Sequence, residues 1–400
     1  MRRPTIAVVG GGASGIAAAI GAGRKGASVI ICERLPALGK KILVSGNGRC
    51  NLLNEKLDES FYNPPSHKLL RNVFSKFNKE SLIEFFKGLG LELRSEEGRI
   101  FPVTNQSASV LTLLEIELRR LSVQVQLNSA VTHISPSKSA FSLATKSGKR
   151  ISAKSVILAG GGKTYPALGS DGSAFALAAS LGHRIITPVP AAVPVIVKDP
   201  LCHALQGQKI YARTKSVIDG KVVRETVGDL LFTKYGLSGT AILDISEEIS
   251  IAVNRDNKKD ATVCVDMTPF MSEKRLTEEL TKRIDKGFMP GELLAGILPN
   301  RFAPALKGLL MKKDPALIAA SLKERSFKVF GTRGWNEADF TAGGVDLKEV
   351  NELNLESRLK KGLYFAGEVL DVNGKRGGYN LAWAWASGLV AGEEAAKCVE

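Results

Sequence analysis

Three glycines, Gly10, Gly12 and Gly15, stand in G-x-G-x-x-G spacing after a β-rich run, Thr5–Val9. A small-residue, helix-compatible segment follows to Lys25. Gly10 allows a sharp turn out of the strand, Gly12 lets backbone approach a pyrophosphate, and Gly15 lets helix and strand pack closely. Ala13 and Ser14 fall at the helix start, where unpaired N–H groups and partial positive charge suit phosphates. A second strand, Ser28–Cys32, ends at Glu33. A carboxylate there accepts hydrogen bonds from a ribose and repels a 2′-phosphate, which disfavours NADP. Strand, turn, helix and acidic strand end together read as a dinucleotide site. Alone, the motif leaves FAD and NAD open.

Two further clusters carry chemistry. The stretch Arg34–Asn51 is rich in Gly, Asn and cations and reads as a loop leaving the second strand on the pyrophosphate side. There Arg34, Lys40, Lys41 and Arg49 can lie along a cofactor. Ser45, Gly46 and Asn47 offer close backbone approach just before Cys50 and Asn51. Near the C-terminus, a strand over Gly362–Ala366 runs into Gly367 and Glu368, and Gly377–Gly378–Tyr379–Asn380 opens a helix from Leu381 to Ala396. Glu368 or Asp371 can bond a ribityl chain. N–H groups from Gly378 through Leu381 would face the flavin N1/O2 edge, where reduction places negative charge that a helix start stabilises. A second glycine run, Gly160–Gly162, ends the strand Ser155–Ala159. It fails as a P-loop, because Ile157 stands where the first glycine is required. It reads as a return to the first sheet, and Val131, Ala159, Gly160 and Gly161 join the expected cofactor set. With no second nucleotide fold, the resident dinucleotide is FAD.

The elements that must position these clusters follow from periodicity. Helices are expected at His67–Phe77, Asn78–Lys87 and Ser107–Leu121, with a hairpin across Leu91–Pro102 and a meander over 131–153. From Pro188 the pattern turns β-rich, with strands at 210–218, 221–227, 230–233, 249–253 and 262–265. Phe232–Leu243 holds glycines where a loop could approach a ligand. The fold class is α/β, α+β overall. The expected domains are 1–187, an FAD-binding Rossmann part; 188–268 with 325–340, a β-rich part; 269–324, a helical insertion; and 341–400, the C-terminal FAD part.

Composition narrows the classes. The 400 residues contain five scattered cysteines with no C-x-x-C and four dispersed histidines, so neither a disulfide framework nor a metal site is expected. No apolar run reaches the ~20 residues that span a bilayer. Behind Arg2 and Arg3 the apolar run is too short for a signal peptide, so a cytoplasmic location is expected. A net charge of +15 points to anion handling, although no nucleic-acid motif accompanies it.

The motifs G-G-G-A-S-G, S-G-N-G-R-C-N at 45–51, F-T-K-Y-G-L-S-G at 232–239 and the long motif at 365–388 resemble a bacterial flavoprotein family. It is the YhiN-like, aminoacetone-oxidase-type FAD-binding family, itself similar to fumarate reductase and succinate dehydrogenase flavoprotein subunits. The resemblance spans essentially the whole chain. It implies non-covalent FAD, a split Rossmann-type domain, a β-rich second domain and a helical insertion. Thr240 departs from the family's pattern, which has Pro there.

The function expected is an FAD-dependent oxidoreductase that passes a hydride between flavin N5 and a small organic substrate, an amine, aminoketone, enone or carbonyl. NAD(P)H or dioxygen would be the partner. Candidates for catalysis are Arg376, Tyr379, Asn380 and Cys50. Two alternatives stay open: a flavin-dependent RNA-modifying protein, motivated by the charge, and a redox-sensing flavoprotein without turnover.

Overall fold

The computed structural model describes residues 5–137 and 140–398; Arg2 and Arg3 lie outside them. The chain divides into two compact units, Met1–Pro188 with Phe340–Glu400, and Val189–Asp339.

The first unit is built on a five-stranded, all-parallel sheet in the order Leu363–Phe365, Ser155–Leu158, Ile6–Val9, Val29–Cys32, Gln124–Gln126. Ile6–Val9 and its two neighbours are buried throughout, which is why they read as unbroken apolar runs rather than alternating ones. The order reverses at Ile6–Val9: the chain first builds outward on one side, then returns to the other. Such a switch point opens a crevice at the carboxyl ends of the strands. Here those ends carry Gly10–Gly12 and Gly160–Gly162. At Gly10 φ is +108°, and a Cβ there would lie 2.5 Å from the Ala159 carbonyl oxygen, so only glycine serves.

Two helices cover the sheet, Ala13–Arg24 and the C-terminal Tyr379–Lys397. They pack backbone to backbone. A side chain on Gly388 would collide with the Ser14 carbonyl, and one on Gly392 with the Ala18 carbonyl. A Cβ on Gly21 would sit 3.0 Å from the Leu389 carbonyl oxygen. Helices His67–Lys76 and Lys79–Gly88 lie beyond, the second capped by Asn78, whose side chain accepts the Ser81 N–H at 2.8 Å. The meander consists of Val131–Pro136, Phe141–Thr145 and Arg150–Ala153.

The second unit holds a closed six-stranded barrel, all antiparallel, in the order Val195–Val197, Gly236–Ser238, Lys221–Thr233, Lys209–Ile218, Ala261–Asp266, Arg325–Thr332. Closure leaves no exposed edge. Phe232, Phe302 and Phe327 meet edge to face inside it. Helices Glu273–Asp285 and Pro315–Lys323 place Leu276, Leu280, Ile318 and Leu322 in that same core.

Three local expectations differ from what is found. The strand expected at 249–253 is helical, Ser246–Ser250 continuing as a π-helix over Ile251–Arg255. Ile245, Ile249 and Ala252 are buried at helical spacing, so packing on one face overrides the β-propensity of the run. The loop expected at Arg34–Asn51 contains the short helix Lys40–Val44, anchored by buried Leu38 and Ile42. In Phe232–Leu243, Gly236 and Gly239 serve the packing of the barrel. They let backbone pass close to residues 195–197 and 229–231 of the barrel wall, where any side chain would clash.

The glycine-lined helix crossing gives a direct prediction. Gly388→Val should destabilise the protein by about 2 kcal/mol or more, because a close-packed backbone contact cannot accept added volume. Chemical denaturation of the variant beside the parent protein measures it.

Candidate active site

The first glycine loop is held from behind by Glu33. This carboxylate is buried; one oxygen accepts the Gly11 N–H at 2.7 Å and the other accepts the Leu35 N–H at 2.8 Å. Gly15 packs so closely that a Cβ would collide with the Gly10 carbonyl, whereas a Cβ on Gly12 would meet nothing within 4 Å. The helix that starts at Ala13 has no side-chain cap at Gly12. The result is a helix start with free N–H groups beside open space, an arrangement suited to an anion. Val131 lies just past the end of this region: the Ser129 N–H donates to the Glu33 carbonyl at 2.7 Å.

A second uncapped helix start faces the far end of the sequence. Gly378, with φ +99°, precedes Tyr379 and provides no side-chain cap. The loop before it is stitched to residues 51–63. Asn54 donates to the Gly377 carbonyl at 3.0 Å, Asn63 donates to the Asp371 carbonyl at 3.0 Å, and the Tyr62 hydroxyl donates to the Tyr379 carbonyl at 2.7 Å. A Cβ on Gly378 would lie 2.7 Å from the Leu53 carbonyl carbon and 2.8 Å from Asn51 Oδ1. That Asn51 oxygen is buried and has no hydrogen-bond partner among the described residues. A buried acceptor left unpaired is costly unless a donor arrives.

Most of the charged candidates are already engaged. Lys41 bonds Thr164 at 2.9 Å and Glu368 at 3.1 Å. Glu368 also accepts the Thr341 N–H at 2.8 Å and the Gly162 N–H at 3.3 Å, so it ties the second glycine run to the C-terminal motif. Asp371 accepts the Gly343 N–H at 3.0 Å. Arg34 pairs with Asp171. Arg49 pairs with Glu96 at 3.1 Å and lies 4.3 Å from the Phe101 ring centre, held by the hairpin Leu93–Pro102.

Of the catalytic candidates, Tyr379 is buried and stacks on Phe61 at 4.6 Å between ring centres. Burial raises its phenol pKa, so the hydroxyl stays protonated through the neutral range. No hydrogen bond to that hydroxyl is present among the described residues. Asn380 clasps Gly374 with both ends of its amide, at 2.8 Å each, and Arg376 in the same loop is engaged with other protein groups. Cys50 is fully buried, and burial pushes its thiol up to about 12. A thiol held protonated by burial is a poor nucleophile at neutral pH. Sequence reasoning missed Thr164, Tyr62 and Asn63. Their roles come from pairings far apart in the chain, and no local pattern marks them.

Residues 4–394 match the HI0933-like protein Rossmann domain. A 3-dehydro-bile acid delta(4,6)-reductase from Clostridium scindens is 39% identical over 407 residues, covering 98% of this chain and 99% of its own. A ribosomal RNA dihydrouridine synthase from Escherichia coli is 29% identical over 411 residues, covering 98% of each. Among solved structures, the open conformation of a flavocytochrome c3 fumarate reductase superposes with a TM-score of 0.51 at 16% identity, over 99% of this chain and 78% of that one. A 3-ketosteroid delta1-dehydrogenase from Sterolibacterium denitrificans does so with a TM-score of 0.51 at 12% identity, over 99% and 100%. These two structures share the fold. Among the described residues no helix is long and apolar enough to cross a membrane, and no cluster of His, Cys, Asp and Glu could hold a metal.

The residues present fit FAD. Two uncapped helix starts suit a diphosphate and a ring that becomes anionic, and the orphaned Asn51 oxygen suits an N–H donor. Asn51→Leu removes an unpaired buried acceptor, so the cofactor-free protein should be as stable as the parent or more so. FAD should bind about 1–3 kcal/mol more weakly. Unfolding of the cofactor-free protein and FAD titration read the two effects separately.

Proposed function

The chain belongs to the HI0933-like family of FAD-binding Rossmann proteins and is an FAD-dependent oxidoreductase, and from that premise we propose that it reduces a carbon–carbon double bond conjugated to a carbonyl. The observation that carries this reading is the Tyr379 hydroxyl: held protonated by the burial of its ring, without a protein hydrogen bond among the described residues, and placed on the first residue of an uncapped helix. A conjugated carbonyl needs such a group. When the carbon β to the carbonyl accepts a hydride, the π pair moves to the carbonyl oxygen as an enolate, and the α carbon must then gain a proton. When bound and reduced, FAD supplies the hydride.

The remaining work falls to the chain's own residues. Gly12–Gly15 and Glu33 would hold the adenosine diphosphate end, with the Glu33 carboxylate accepting from ribose hydroxyls while it fixes the glycine loop. Lys41 and Glu368 would set the middle of the cofactor. Asn51 Oδ1 would accept from the pyrimidine edge of the flavin, and the N–H groups of Tyr379 to Leu381 would lie against negative charge there. Asn380 keeps the loop before the helix in shape through Gly374. Tyr379 would hold the proton delivered to the α carbon or to the enolate. FAD would be held without a covalent bond, since no histidine neighbours Cys50 in the sequence. NAD(P)H is the proposed donor that restores the reduced state, as a transient partner.

The curated relatives agree with this class of reaction: one is named as a reductase of a 3-dehydro-bile acid, the other makes dihydrouridine. The ring double bond of uracil is itself conjugated to a carbonyl. A second reading therefore takes the substrate as a uridine in RNA, and the net charge of +15 favours it.

The test is anaerobic. The flavin of the purified protein is reduced, and a simple cyclic enone, a 3-oxo-Δ4 steroid and a uridine-containing RNA are added in turn. Return of the flavin colour with saturation of the double bond is the expected result for at least one of them. Reoxidation by dioxygen alone would contradict the reading. Tyr379→Phe should slow reoxidation by the active substrate about 10²–10⁴-fold, the usual contribution of a positioned proton donor, while flavin reduction keeps its rate.

A further inference from the structure

The barrel wall of the second unit carries an exposed aromatic ring flanked by cations. Strand Arg325–Thr332 alternates strictly: Phe327 and Val329 enter the barrel core, while Ser326, Lys328 and Phe330 face outward. Phe330 is 51% exposed. The Lys198 ammonium lies 5.1 Å from the centre of its ring and the Lys328 ammonium 5.9 Å. Register explains the gathering, since Val197 pairs antiparallel with Val329 and the chain then continues to Lys198 on the Lys328 side, while Lys328 and Phe330 share the outward face of their strand. Several other cations of this unit are neutralised by carboxylates: Lys209 by Asp229, Arg224 by Glu248, Lys323 by Asp266 and Arg325 by Asp199. Lys198 and Lys328 have no ion pair among the described residues. A second ring–cation couple borders the same short strand on its other side. The Tyr235 carbonyl accepts the Val197 N–H at 3.0 Å, and the Arg333 guanidinium sits 4.6 Å from the Tyr235 ring centre.

An aromatic face between two unpaired ammonium groups matches the alternation of a single nucleic acid strand, in which flat bases follow one another between phosphates. Stacking on an aromatic ring accepts any base, and the flanking cations displace the counterions of the phosphates. A duplex hides its base faces and would leave the ring unused. An acidic protein would satisfy the lysines and leave half of Phe330 in water. A membrane surface would need a wider apolar patch than one ring. We propose that this face of the barrel docks single-stranded RNA, with Phe330 stacking a base and Lys198 and Lys328 neutralising the adjoining phosphates. The inference rests on the uridine form of the enone reading for the choice of RNA, and it adds where on the chain that RNA is held.

The experiment uses the full-length protein loaded with FAD and the fluorescence anisotropy of a labelled short oligouridylate across a range of salt. Phe330→Ala should weaken binding roughly tenfold, and Phe330→Tyr should restore it. The double change Lys198→Ala with Lys328→Ala should lower the slope of log affinity against log salt by about 1.4, two phosphates of a single strand. Flavin content and unfolding midpoint should stay as in the parent, because all three side chains are on the surface. Unchanged affinity in Phe330→Ala would overturn the proposal. So would displacement of the RNA by polyaspartate of equal charge as readily as by unlabelled RNA. Binding is read without turnover, so a protein that reduces no enone can still pass this test, and one that ignores RNA can still reduce a free enone.

Discussion

The close crossing of the first and last helices governs the flavin-binding unit. Gly21, Gly388 and Gly392 have no side chains, so the backbones of Ala13–Arg24 and Tyr379–Lys397 touch directly. A second lock lies at the same place: the Gly367 N–H donates to Ser387 Oγ at 2.9 Å, which fixes the C-terminal strand end to the C-terminal helix. Backbone contact without intervening side chains permits little sliding, because protein interiors are close-packed and any offset creates overlap. The two uncapped helix starts, at Ala13 and Tyr379 near opposite ends of the sequence, are thereby set in one rigid frame. A long cofactor needs that: one end must find phosphate-binding N–H groups while the other meets a ring of changing charge.

Around this frame the polar groups divide into satisfied and waiting ones. Glu33, Glu368 and Asn380 are already bonded to backbone N–H groups or loop peptides, so they shape the cradle even before a ligand arrives. Asn51 Oδ1 is enclosed without a partner among the described residues, as are the indole N–H groups of Trp383 and Trp385 in the last helix, and it lies where residues 51–62 meet the start of that helix. An enclosed polar group without a partner costs stability, and such groups cluster where a ligand completes them.

Much of this was legible in the sequence because steric rules are local. Gly10, Gly12 and Gly15 announce a strand, a turn and a helix start by spacing alone, and the structure has them at the switch point of a parallel sheet. The C-terminal motif was legible for the same reason. Long-range pairing was not. Nothing near Lys41 in the chain foretells its bond to Glu368, and nothing near Arg49 foretells that the hairpin would hold it. The barrel was visible only as a β-rich stretch, since closure depends on Arg325–Thr332 meeting Val195–Val197 across more than a hundred residues. The helix over Ile245–Ala252 was hidden by β-branched residues whose helical spacing mattered more than their propensity.

The claim that one FAD spans both helix starts is tested most directly by titrating ADP and FAD into cofactor-free protein and into Gly12→Val and Gly378→Val variants. The account predicts that Gly12→Val abolishes binding of both ligands, whereas Gly378→Val keeps ADP affinity and loses most of the additional affinity for FAD. Equal loss of both ligands in the Gly378 variant, or undiminished FAD binding there, would contradict it.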